Sequence, residues 1–98
     1  PVFMLDDIVH IEQHQQTIIK VDCETSTADV IWGAADTLLN CRMLVAEVWN
    51  HPKLTPNFIE QSALIFSFAA QADLIHNRVV DVSSVLGEVW TYDMAFWR

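Results

Sequence analysis

The stretch Gly87-Glu88-Val89-Trp90-Thr91-Tyr92-Asp93-Met94-Ala95-Phe96-Trp97 decides the fold, because it scans in two ways. On a two-residue period Trp90, Tyr92, Met94 and Phe96 share one phase, and Thr91, Asp93 and Ala95 take the other. On a helical period Leu86, Trp90, Met94 and Trp97 align instead. Aromatic and β-branched residues dominate the segment, which favours a strand. The expected class is therefore α+β, with an all-α helical bundle as the alternative.

Working back from that tail, Asp81-Val82-Ser83-Ser84 reads as a break. Before it, Phe58 to Val80 is apolar on nearly every side, with Ser67 the one polar break in Ala63–Ala70. A helix apolar all round is buried all round, and one partner helix cannot cover it. It calls for a sheet or a second subunit on its far side. Thr55 is the expected N-cap and Pro56 the first helical residue. Earlier still, Ser26 and Asp29 resemble a capping box. Beyond them Ile31, Ala34, Ala35, Leu38, Cys41, Val45 and Val48 form an apolar stripe that Pro52 ends. The pattern predicts a long antiparallel αα-hairpin, with helices over about 27–50 and 56–80.

The first 22 residues read as extended. Ile8-Val9-His10-Ile11 and Thr17-Ile18-Ile19-Lys20-Val21 are β-branched clusters that could turn near His14-Gln15, against a competing helix over 6–16. A short N-terminal β segment and the C-terminal aromatic strand would then cover one face of the helical hairpin.

Composition bounds the rest. The 98 residues are 52% hydrophobic and 18% charged, with two glycines and three prolines, which fits one folded domain over 1–98. No run reaches the roughly 18–20 apolar residues of a spanning helix. A net charge of -8 opposes direct nucleic-acid binding through phosphates. Four tryptophans, five phenylalanines and one tyrosine are a heavy load for so small a core. A homodimer and a protein partner are expected, with Trp90, Tyr92, Phe96 and Trp97 as contact residues; core packing is the competing role for these four. The two cysteines, Cys23 and Cys41, suggest a reducing, cytoplasmic setting rather than a disulfide scaffold, with a Cys23–Cys41 bridge as the lesser alternative. Pro1–Asp7 lacks the basic region of a secretion signal, and Pro1 in place of methionine implies a trimmed or longer native chain.

The chemistry-bearing residues are sparse. His10 and His14, four apart, would share a helix face, with Glu12, Cys23 or His51 as a third metal ligand, but no spacing demands a metal and no cofactor is expected. His51 and His76 read as helix-end residues. Ser62 and Ser67 lie in the apolar run, and neither cysteine has a basic neighbourhood. Phosphate-cradle and nucleophile-elbow motifs are absent from the sequence, so catalysis is the lesser reading. Asp6-Asp7 and the other acids read mainly as solvated faces and helix N-terminal charges.

Residues 18–80 resemble a family of short bacterial proteins with no known activity. The matching parts are Ile19-Lys20-Val21, Thr25-Ser26-Thr27-Ala28-Asp29, Ala34-Ala35-Asp36-Thr37-Leu38 and Leu74-Ile75-His76-Asn77-Arg78-Val79. The resemblance implies a strand followed by an alanine-rich helical hairpin and brings no function. The expected function is a small acidic intracellular interaction or regulatory module, non-enzymatic and homodimeric. The alternatives are a small metal- or ligand-binding protein, or an acidic nucleic-acid mimic that blocks a basic partner through acids such as Asp29 and Asp36.

Overall fold

The computed structural model describes residues 4–7, 17–22, 26–49 and 58–98. Their elements run β1 (Ile18–Val21), α1 (Thr27–Trp32), α2 (Ala35–Asn40), β2 (Met43–Trp49), α3 (Phe58–Gln71), β3 (His76–Val85) and β4 (Glu88–Trp97), with a 3-10 turn at Leu5–Asp7. The four strands form one mixed sheet in the order β1-β2-β4-β3. β1 lies parallel to β2, and β4 is antiparallel to both of its neighbours. The helices pack on one side, α1 against β1, β2 and α3, and α3 against β2.

This architecture corrects the expected helical hairpin, and the all-α alternative with it. The predicted helix over 27–50 is two six-residue helices and a strand. Gly33 and Ala34 separate α1 from α2, and Cys41 turns extended at ψ 159°. From Met43 the chain alternates: Leu44, Ala46 and Val48 are buried, while Met43, Val45, Glu47 and Trp49 are half-buried. The apolar stripe in the sequence was a helical period in 31–41 that ran, without a break in composition, into a strand period. Ser26 makes no side-chain cap bond, so the capping box does not form.

The predicted helix over 56–80 also divides. α3 ends at Gln71 in a Schellman motif: the Leu74 N–H donates to Ala69 O at 2.9 Å and the Asp73 N–H to Ala70 O at 3.0 Å. Asp73 takes the left-handed position with φ 62°. The chain then leaves as β3, so Asp81–Ser84 is strand rather than break, and His76 opens a strand rather than closing a helix. The predicted turn near His14-Gln15 and the cap at Thr55-Pro56 lie outside the described residues.

The core sits between the helices and the helix-side face of the sheet. Ile31, Leu38, Leu44, Leu74, Val48 and Phe96 are its largest fully buried side chains. Cross-strand pairing places Leu44 beside Phe96, Ala46 beside Met94 and Val48 beside Tyr92 on that face. The ring of Phe66 meets Phe96 edge-on at 5.1 Å.

Both ends of the described chain grip α2. At its start Ala34 offers no side-chain cap. Asp6 supplies one from a distance: its carboxylate accepts the Asp36 N–H at 2.9 Å, the Thr37 N–H at 2.7 Å and the Thr37 hydroxyl at 2.6 Å. Partial burial pushes the Asp6 carboxyl up, but these three bonds outweigh it and hold its pKa below the usual value. A folded-state pKa below the unfolded one adds stability above the ordinary carboxylate range, and that stability is lost as pH falls through the folded value. Asp6→Ala is therefore expected to cost about 1 kcal/mol at neutral pH, the worth of a good N-cap. Urea titrations at neutral pH and at about pH 3 check it, since the penalty should shrink on acidification.

Candidate functional site

The helices cover the β1–β2 half of the sheet and leave β3, an edge strand, beyond them. On the helix side of β3 the register sets Asn77 beside Phe96, Val79 beside Met94 and Val82 beside Tyr92. Val79 is 46% and Val82 52% exposed, although both point to the side on which the core lies. On α3 the residues Ile59, Ala63, Phe66 and Ala70 are exposed at helical spacing.

Between these elements lies an open apolar groove of about 530 Å³, lined by Ala63, Phe66, Ala70, Leu74, Ile75 and Phe96, with Ser67 and Asn77 as its polar groups. Ligand pockets of this size normally place a few convergent polar or titratable groups around an enclosed volume. This lining contains no charged or titratable residue, so its chemistry is apolar contact.

The strip continues to the end of the β3–β4 hairpin. The connection is Leu86-Gly87, with φ 51° and 80°. Two successive positive φ values match the twist of a tight hairpin, but they suit Asn or Gly rather than leucine. Leu86 is also 100% exposed. An apolar side chain fully in water, on a backbone conformation it disfavours, is an outlier that points to a contact.

The opposite face of the sheet carries the polar features. Glu47, Asp93 and Asp81 form a cross-strand row over β2, β4 and β3. Burial raises the Glu47 pKa, a hydrogen bond with Asp22 and the nearby charges of Asp22 and Asp93 raise it further, and the Trp49 indole N–H, donating at 2.7 Å, lowers it. The row is spaced at about 4.8 Å per strand, against about one charge per 1.7 Å of duplex DNA, which is sparse for phosphate mimicry. Among the described residues no group of three or more His, Cys, Asp or Glu is arranged to hold a metal ion. His10, His14, Glu12, Cys23 and His51 lie outside the described residues.

The four aromatic residues expected to make contacts do not form one patch. Phe96 is 1% exposed and belongs to the core. Tyr92 is half-buried and packs against that core. Trp97 lies on the other face, stacked on His76 at 5.9 Å. Trp90, half-buried, falls at the β4 irregularity between the Ser83–Thr91 and Ser84–Val89 pairs. The exposed groups are instead the aliphatic residues of β3 and its flanks. Their signal in the sequence is the β-branched cluster Val79-Val80-Asp81-Val82, which the expected helix over 56–80 and the expected break at Asp81 divide.

Cys41 is free and buried, and burial raises its thiol pKa, with Arg98 acting in the opposite sense. No helix of the described residues is long and apolar enough to cross a membrane. Fold and surface thus define a small α+β domain: a four-stranded mixed sheet, helices on one side, and an apolar edge that the described helices leave uncovered. No protein-family model, curated protein or solved structure matches the chain.

Proposed function

We propose that this chain is a non-enzymatic, intracellular protein-interaction module that works as a homodimer. The observation that carries this reading is the uncharged apolar strip of β3, its hairpin tip and the outward face of α3. Interface cores are depleted of charge, and large contiguous apolar patches are rarely left in water. A sequence with net charge -8 keeps this strip free of charge.

Multi-angle light scattering at tens of micromolar should give about twice the 11.2 kDa chain mass. A mass of one chain at every concentration up to the millimolar range would overturn the proposal.

A further inference from the structure

Resting on that dimeric reading, we infer that two copies meet along β3, antiparallel, about a twofold axis passing between Val80 and Asp81, with the hairpin tip of each copy seated at the α3–β3 groove of the other. The strand is self-complementary about that point. A twofold axis there sets Ile75 opposite Leu86 of the second copy and Val79 opposite its Val82. These are four of the exposed apolar residues, at 65%, 100%, 46% and 52%. Among directly opposite pairs none joins like charges, Arg78 falling opposite Ser83 and Asp81 opposite Val80, while the two Asp81 side chains flank the axis.

The bulge makes this register possible. Directly opposite residues of an antiparallel pair must share a sheet face, and in a regular strand positions three apart do not. The register shift between Val79 and Asp81 adds one residue, so Val79 and Val82 both point to the helix side. The twofold partner of each is then on the matching face. An isologous contact needs this self-matching, residue i on j and j on i.

The same arrangement accounts for Leu86. β3 spans ten residues, or about 30 Å at strand rise. Within one copy its tip and the groove beside Ile75 therefore stand at opposite ends of the strand. Antiparallel pairing brings the tip of one copy to the groove of the other, where Phe66, Ala63 and Ala70 offer an apolar seat. A second copy fits this surface better than a basic peptide, because the groove lining has no carboxylate to meet a cation.

Cysteine cross-linking tests the geometry. In a Cys23→Ser background, the double variant Ile75→Cys, Leu86→Cys should yield a covalent dimer on oxidation, while each single variant should yield far less. The two sites are too far apart along β3 to bridge within one chain. Leu86→Asp and Val79→Asp should each weaken dimerisation at least tenfold. Leu86→Asn should weaken it too while keeping the hairpin folded, since asparagine tolerates the left-handed turn. A dimer that persists in all three variants, with no cross-link, would overturn this interface and leave the dimeric reading standing. A wild-type monomer would overturn both.

Discussion

Arg98→Ala is expected to lower stability by about 2–3 kcal/mol, on the order of 10–20 °C in melting temperature for a domain of this size. The guanidinium binds the ends of two helices at once. Its Nη2 donates to Leu38 O at 2.9 Å, Leu39 O at 2.7 Å and Ala72 O at 3.0 Å, and its Nη1 donates to Cys41 O. Leu38 and Leu39 belong to the last turn of α2, and Ala72 follows the last residue of α3. A cation at the carbonyl end of a helix also favours the dipole. Removing the side chain leaves partly buried acceptors without their donor, which costs more than the net worth of a neutral bond. Arg98→Lys keeps the charge but replaces the planar fork with a point donor, and should recover less than half of the loss. Denaturant unfolding at one fixed protein concentration measures both variants, since any self-association makes apparent stability concentration-dependent. A change below about 0.5 kcal/mol for Arg98→Ala would mean that the clamp contributes nothing.

Phe96→Ala is expected to cost about 3–5 kcal/mol, the range for a fully buried aromatic truncated in a core. Domains of this length have roughly 5–15 kcal/mol in all, so the variant should be near its unfolding threshold. The loss comes from emptying the space under Phe66 and beside Leu44, where the ring is 1% exposed. Phe96→Leu should cost much less, since most of the volume stays. Denaturant unfolding of both variants checks this, and equal losses for the alanine and leucine variants would mean that filled volume is not what the ring supplies.

Together Asp6 and Arg98 explain how the six-residue α2 persists in so short a chain. Isolated helices of that length do not form in water. α2 is held by a carboxylate at its start and a guanidinium at its end, the signs its dipole prefers. Neither partner is local: they lie 31 and 60 residues away in sequence. This is why the 27–40 region scans as one continuous helix when only neighbours are considered. The stops inside it are weak, with Gly33-Ala34 at the first and no proline before Pro52. The end of α3 was hidden for a similar reason. Its Schellman residue is Asp73 rather than the usual glycine, so the turn carries no sequence flag.

Periodicity confined to a few residues was legible in the chain. The alternation of Tyr92, Met94 and Phe96 marks β4, and that of Ile19, Lys20 and Val21 marks β1. Tertiary structure alone settled which helical-looking apolar runs became β2 and β3, because in both the same residues satisfy a strand period and a helical one. The choice falls to the partner: β4 offers a ladder of nine residue pairs on one side and seven on the other, and backbone groups buried there must be bonded. The exposed aliphatic edge was likewise invisible beforehand, since how much of Val79, Val82 or Leu86 meets water depends on where α3 stops covering the sheet, which is a property of packing and not of the residues themselves.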